Sequence, residues 1–187
     1  PVLRKIHDYT GGPVVRTALL LAPLLFARPG ELAGMKWADL SLATAEWRYI
    51  VSKTRRAHTA ALSTQAVDLL RDLQPLTGRG EFVFPGARDR KKPMSGNALL
   101  QAMRRSGIDK TEMTVHGFRH MASTRLNEMG WSPDAIEAAL THRMPGVRGV
   151  YNSAQYLDER RKMAQAWADY LDDLRGETNV VPIRKSA

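Results

Sequence analysis

Four short stretches of the chain group side chains that could bind or transform a charged ligand. His116-Gly117-Phe118-Arg119-His120 places an arginine three residues and a second histidine four residues after the first, a spacing that shares one helix face. Histidines four apart on a helix can hold zinc. Here glycine follows His116 where a metallohydrolase carries its general-base glutamate, so a zinc hydrolase is not expected. Arg28-Pro29-Gly30-Glu31 follows an apolar run, and an arginine in that setting must be paired or face a cleft. Glu31 is its local partner, and a structural ion pair explains the tetrapeptide taken alone. Leu140-Thr141-His142 closes a helical stretch, where a histidine complements the helix dipole, and Tyr151 stands nine positions later. Lys53, Arg55, Arg56 and His58 crowd one short basic turn.

The elements that must position these groups can be outlined from pattern. Residues 13–27 predict a buried helix, apolar nearly all round, entered through Gly11-Gly12 with Pro13 in its first turn. After the Pro29-Gly30 break, residues 31–35 predict a short second helix. Residues 47–51 and 59–62 predict two strands, with 52–58 as the hairpin tip. Ser63 is the expected N-cap of a helix through Leu73, carrying Ala66, Leu69, Leu70 and Leu73 at helical spacing. Phe82-Val83-Phe84 reads as a buried extended piece, 86–94 as a basic loop, and 95–105 as a helix capped by Ser95. Residues 116–129 predict another helix, and Ser132-Pro133-Asp134 starts one that runs to about Thr141. The last helix, 155–174, gathers Met163, Trp167, Tyr170, Leu171 and Leu174 on one face. That face has two possible docks, the chain's own core or a neighbouring protomer. The expected fold class is mainly α with a small antiparallel β-sheet (α+β). Residues 1–176 are expected to form one domain, with 177–187 as a flexible tail.

A chain of 187 residues, 43% hydrophobic and 25% charged, is long enough for one domain with its own core. It contains no cysteine, which excludes a disulfide scaffold, a cysteine-ligated zinc site and a cysteine nucleophile. The longest apolar run, 18–27, is too short to span a bilayer and is interrupted by Pro23. No secretory signal opens the chain, so no membrane partner is expected. Lysine and arginine exceed aspartate and glutamate by 28 to 19, a net +9, and residues 48–119 alone hold 14 basic against 6 acidic side chains. A surplus concentrated in the middle of a folded domain suggests a polyanion, most often nucleic acid, although a solvated basic face accounts equally for composition alone.

Taken in order, Arg28, a hairpin Lys53, His116-x-x-Arg119, Leu140-x-His142 and Tyr151 resemble the signature of the tyrosine recombinases. The surrounding words, Arg28-Pro29-Gly30-Glu31-Leu32, His116-Gly117-Phe118-Arg119-His120 and Tyr151-Asn152-Ser153-Ala154-Gln155-Tyr156, resemble the phage and genomic-island integrase branch. The likeness covers roughly residues 13–175. It implies the integrase catalytic-domain fold and site-specific DNA recombination, with strands cut and rejoined through a 3′-phosphotyrosine to integrate or excise a mobile element such as a prophage. It implies that Tyr151 is the nucleophile and that Arg28 and Arg119 clamp the scissile phosphate. His116 would assist proton transfer from the tyrosine, Lys53 would protonate the leaving 5′-oxygen, His142 would bond a non-bridging oxygen, and Glu31 would buttress Arg28. The implied partners are double-stranded DNA attachment sites and other protomers, as a tetramer on DNA and a monomer or weak dimer without it. An excisionase and a DNA-bending host factor are implied as accessories, and the bacterial cytoplasm and nucleoid as the location. No cofactor is implied. Integrases of this branch carry arm-binding and core-binding domains before this region. Neither is present here, so an isolated catalytic domain is expected.

Elementary chemistry suits these roles. A phosphorane-like transition state gathers negative charge on its equatorial oxygens, and planar guanidinium forks match that geometry better than an ammonium does. Two arginines can supply this without Mg²⁺, and the sequence offers no carboxylate cluster to hold a metal. A tyrosine hydroxyl with a pKa of about 10 needs help to attack at neutral pH, for which histidine is the usual helper. The alkoxide leaving group needs an acid, which a lysine can provide. The covalent intermediate conserves bond energy, so no nucleotide is required. Tyr9, Tyr49 and Tyr170 lie in the wrong segments for the nucleophile, and Tyr156, five residues after Tyr151, is expected to pack at the start of the last helix. Arg55, Arg56, Lys91, Lys92, Arg104 and Arg105 are candidates for phosphate contacts. Two other readings share these residues: a type IB topoisomerase, and a non-catalytic DNA-binding module that keeps the fold.

Overall fold

Helix α2 (Pro13–Leu24) runs through the middle of the structure, and its sequence explains why: Thr17, Ala18, Leu19, Leu20, Leu21, Ala22 and Pro23 are buried in succession, so the helix needs neighbours on all sides. The computed structural model describes residues 1–141 and 156–176. In chain order the remaining described helices are α1 (Val2–His7), α3 (Pro29–Ala33), α4 (Thr64–Thr77), α5 (Gly96–Arg105), α6 (Gly117–Glu128), α7 (Pro133–Ala139) and α8 (Leu157–Arg175). A single 3-10 turn, Trp37–Asp39, leads into β1 (Leu40–Ser41), followed by β2 (Glu46–Ile50) and β3 (Ala57–Ala61). The strands form one antiparallel sheet in the order β1-β2-β3, with Trp47 opposite Leu40 on one side and Tyr49 opposite His58 on the other.

Two apolar clusters hold these elements. The larger packs α2 against α4, α5 and the sheet, and includes Leu19, Leu21, Trp47, Leu70, Phe84, Leu99 and Phe118. The smaller lies among α6, α7 and α8 and is built from Ala122, Leu126, Ile136, Ala139, Leu140, Met163, Trp167 and Leu171. The last helix therefore docks on its own chain. Met163, Trp167 and Leu171 of the expected face are buried, Tyr170 packs at the edge of the cluster, and Leu174 is 51% exposed; Ala164, Ala168 and Arg160 complete the buried stripe. Trp167 Nε1 also donates to Pro23 O at 2.9 Å, satisfying a carbonyl in the last turn of α2 that has no partner within the helix.

The mainly α architecture with a small antiparallel sheet agrees with the pattern read from sequence, with six local differences. Helix α2 stops at Leu24, short of the expected residue 27, since Leu25 is already extended. Helix α3 starts at Pro29, before the expected residue 31, because Pro29 keeps Arg28 extended and itself fits the first helical turn. Helix α1 was not anticipated; only Ile6 of its six residues is buried, so it carries no readable period. The two-residue β1 is too short to leave an alternation. Helix α4 continues past Leu73 through Pro75 to Thr77, because a proline in the last turn removes one hydrogen bond and Gly78 N still reaches Gln74 O at 2.7 Å. His58 belongs to β3, not to the hairpin tip, which narrows to residues 51–56. Residues 177–187, expected as a tail, lie outside the described residues.

Candidate active site

Arg28 ends the extended segment that follows α2 and is the N-cap residue of α3, with Pro29 in the first helical turn. Glu31, three residues on, accepts from the Arg28 backbone N–H at 3.0 Å and from Arg28 Nη1 at 3.1 Å. The same carboxylate accepts from the backbone N–H and the hydroxyl of Ser52, each at 3.3 Å, and so ties α3 to the tip of the β2–β3 hairpin. Its side chain is only 3% exposed. The expected ion pair is thus real, and it has a second purpose: it fixes the direction of a half-buried guanidinium.

Helix α6 begins at the dipeptide His116-Gly117. Thr114 Oγ1 accepts the Gly117 N–H at 2.9 Å, which caps the start of the helix, and a Cβ on Gly117 would stand 2.8 Å from Met113 Sδ, so a larger residue there would have to displace that methionine side chain. His116 and His120 stay at the surface, their rings edge to face at 4.9 Å. Arg119 turns the other way and is 3% exposed. Its Nη1 donates to Phe26 O and its Nη2 to Leu140 O at 2.6 Å. Phe26 lies in the segment that delivers Arg28, and Leu140 follows the last turn of α7, so one guanidinium locks both. Burial, and then the neighbouring charge of Arg28, holds Arg119 below its ordinary pKa. Guanidinium is the cation best able to remain charged in such a setting.

Arg28 reaches the same place from the opposite side: its Nη1 also donates to Thr141 Oγ1 at 2.9 Å. The two arginines, separated by 91 positions in sequence, therefore grip consecutive residues at the end of α7. Beneath them, Tyr49 stacks on Trp47 with ring centroids 4.0 Å apart and meets the His58 ring edge-on at 5.4 Å. Burial, reinforced by the Glu31 charge, pushes the Tyr49 phenol up, so it stays neutral. His58 is drawn down to about 4 by burial and by the charges of Arg160 and Arg119, and it too is neutral. A groove of about 650 Å³, whose lining includes Glu31, Lys36, Arg48, Tyr49, Ser52 and His58, runs along the back of this layer.

Lys53 sits at the hairpin tip, exposed, and among the described residues it has no hydrogen-bond or ion-pair partner. The tip backbone is nevertheless set: Val51 N donates to Arg56 O and Arg55 N to Val51 O, both at 2.8 Å, with Arg55 at φ 56°. Arg55, Arg56, Lys91, Lys92 and Arg105 are exposed, whereas Arg104 turns back to donate to Ile108 O at the end of its own helix. His142 and Tyr151 lie outside the described residues. Among the other tyrosines, Tyr156 donates to Asp134 Oδ2 at 3.3 Å, Tyr9 is buried, and Tyr49 is committed to the layer just described. Among the described residues no three histidine, aspartate or glutamate side chains come together as a metal site, and no helix is long and apolar enough to cross a membrane.

Sequence reasoning missed Tyr49, Thr141 and Arg160. Arg160, on α8, is 3% exposed and its Nη1 donates to Thr59 O at 2.7 Å, while the next residue, Arg161, reaches buried Glu46 on β2 at 2.5 Å. These contacts join the helix that follows Tyr151 in sequence to both strands of the hairpin that carries Lys53. A signal existed for Arg160: it falls three residues before Met163 and seven before Trp167, on the apolar stripe.

A mainly helical domain brings two arginines, one of them buried, to the end of one helix; a histidine pair stands on the helix that carries the buried one, and Glu31 and Ser52 link the other to a lysine-tipped hairpin. The profile of the Phage integrase family matches residues 6–157. The chain is 45% identical over 177 residues to the prophage integrase IntS of Escherichia coli (strain K12), covering 91% of this chain and 45% of that protein. It is 44% identical over 177 residues to the integrase of Shigella phage Sf6, again covering 91% of this chain and 45% of that one. Among solved structures it superimposes on a lambda integrase dimer bound to a COC′ core site with TM-score 0.58 and 25% identity, over 84% of this chain and 46% of that one. The chain belongs to the phage integrase family, and it has the fold of the integrase catalytic core. It spans about half the length of the curated relatives it matches.

Proposed function

We propose that this chain supplies the catalytic domain, residues 1–176, of a site-specific DNA recombinase that breaks and rejoins strands through a phosphotyrosine. The observation that carries the reading is the convergence of Arg28 and Arg119 on the end of α7, immediately before His142 and nine residues further Tyr151. In this reading the two guanidinium groups bind the non-bridging oxygens of the scissile phosphate, aided by His142. Tyr151 attacks phosphorus while His116 accepts its proton, and the 5′-oxygen leaves with a proton from Lys53. Rejoining reverses these steps with the 5′-hydroxyl of a partner strand, and the bond energy held in the phosphotyrosine drives it without a cofactor.

The substrate in this reading is double-stranded DNA carrying an attachment site, and the exposed Arg55, Arg56, Lys91, Lys92 and Arg105 are the proposed contacts to its backbone phosphates. The lambda relative bound to a core site supports that class of partner, and a tetramer on DNA follows from exchanging strands between two duplexes. An excisionase and a DNA-bending host factor are proposed accessories, and the nucleoid of the bacterial cytoplasm is the proposed place of action. The testing experiment offers the chain a nicked suicide substrate in buffer containing EDTA. A covalent protein–DNA adduct forms, and Tyr151→Phe abolishes it while DNA binding stays near normal. An adduct that survives Tyr151→Phe and disappears in Tyr156→Phe would overturn the assignment, and a strict Mg²⁺ requirement would move the chain to another mechanism.

A further inference from the structure

Thr141 occupies a place where threonine is the wrong residue for the backbone. Helix α7 ends at Ala139, Leu140 follows with φ −77°, and Thr141 then adopts φ 56°, with its N–H turned back to Ala138 O at 3.2 Å. This is the left-handed position that terminates a helix, ordinarily filled by glycine or asparagine. A β-branched side chain there meets its own backbone and is strained. Nothing in the packing of α7 requires a threonine, since its buried residues are Ala135, Ile136 and Ala139. What the side chain does supply is one oxygen, 2.9 Å from Arg28 Nη1.

We infer that Thr141 is a positioning residue for Arg28: its hydroxyl accepts from the guanidinium and fixes the fork in the orientation that meets the phosphate, at the expense of local backbone strain. Glu31 holds the same Nη1 from the α3 side, so the group is bracketed between two acceptors from elements 110 positions apart in sequence. Arg119 grips Leu140 O directly beside it, so the αL turn at Thr141 is set by one arginine and in turn orients the other. Thr141 touches no reacting atom in this scheme and acts through Arg28. The inference rests on the proposed recombinase reading for its consequence, though not for the contact itself.

Three substitutions in the 187-residue chain separate the hydroxyl from the strain. Thr141→Val keeps the β-branch and loses the hydroxyl; Thr141→Ser keeps the hydroxyl; Thr141→Gly loses the hydroxyl and the strain together. At saturating suicide substrate, cleavage by Thr141→Ser stays close to that of the native chain. Thr141→Val and Thr141→Gly cleave slower by about three- to thirty-fold, the scale of a mis-set catalytic group. DNA affinity changes by less than about twofold, because charge is unaltered. Thr141→Gly melts about 2–6 °C above Thr141→Val, since only valine retains the strain. The contact has its own readout in the Arg28 Nε–H NMR signal, which is sharp in the native chain and in Thr141→Ser and broadened in Thr141→Val. Cleavage by Thr141→Val at the native rate, or losses that follow melting temperature instead of the hydroxyl, overturn the inference. If the native chain forms no adduct at all, the recombinase reading falls; an unchanged Arg28 signal in Thr141→Val then sinks the inference separately.

Discussion

Two arginines converge on the end of α7 and a lysine stands at the tip of the β2–β3 hairpin, all proposed to serve one phosphate, and the two regions hold their cations in opposite ways. Arg119 is 3% exposed and bound to two main-chain carbonyls; Arg28 is bracketed by Glu31 and Thr141. Lys53 is exposed on a loop and reaches no partner among the described residues. The difference suits the proposed tasks. Charge that develops on non-bridging oxygens is best met by donors that need no reorganisation, which favours cations fixed before the substrate arrives. A general acid must instead approach the leaving oxygen as its bond breaks, and a compact ammonium on a flexible stem suits that. Glu31 is a direct link between the regions, since it accepts from Arg28 on one side and from Ser52, the neighbour of Lys53, on the other.

The largest effect that sharpens this contrast is expected at Arg119. Arg119→Lys keeps a charge but cannot span Phe26 O and Leu140 O while facing a phosphate, so cleavage falls about ten- to a thousand-fold, the scale of losing one oxyanion donor. A near-native cleavage rate would break the fixed-fork side of the comparison. Chemical denaturation reads the structural half of the same residue: Arg119→Lys loses about 1–3 kcal/mol as one buried carbonyl goes unsatisfied.

Glu31→Gln comes next. The substitution preserves shape and removes the charge that orders Arg28, and its amide cannot accept all four of the hydrogen bonds now made to the carboxylate. Cleavage falls about tenfold and stability by about 1–3 kcal/mol. If both remain native, the clamp and the hairpin are not coupled through Glu31.

The smallest effect concerns His58, which lies between the regions. Its pKa is held at about 4, below the ordinary 6.5, so the unfolded chain binds the proton more tightly. Its contribution to stability is complete above pH 6.5 and is lost as the pH falls from about 6.5 to about 4. His7, also near 4 through burial and the Arg175 charge, adds to the same window. Thermal melts between pH 7 and pH 4 should show a falling melting temperature, and His58→Gln should flatten part of the slope. A slope that His58→Gln leaves unchanged would remove His58 from this account.

Much of this arrangement was legible in the sequence because it rests on local signals. Pro29-Gly30 marks the break before α3, Ser132-Pro133-Asp134 the start of α7, and the apolar run the central helix, expected over 13–27 and found over Pro13–Leu24. Glu31 could be paired with Arg28 because the partners are three residues apart. The groups that were missed depend on contacts distant in sequence. Thr141 reveals itself only through its φ angle and through Arg28, and Tyr49 only through the register that sets it against His58. Arg119 was assigned to a shared face with His116 and His120, yet it points inward, because at the boundary of an amphipathic helix the tertiary acceptors decide the direction. The apolar face of α8 was readable, but its choice of the chain's own core was not, since a stripe carries no address.

The division between a fixed clamp and a mobile acid is tested most directly by changing the leaving group. Cleavage would be timed on two suicide substrates, one with the ordinary 5′-oxygen at the scissile bond and one with sulfur in its place, for the native chain, Lys53→Ala and Arg119→Lys. A thiolate leaves without needing a proton, whereas the charge on the non-bridging oxygens is unaffected. The account predicts that Lys53→Ala is impaired on the oxygen substrate and close to native on the sulfur substrate, while Arg119→Lys remains impaired on both. Recovery of both variants, or of neither, would contradict it.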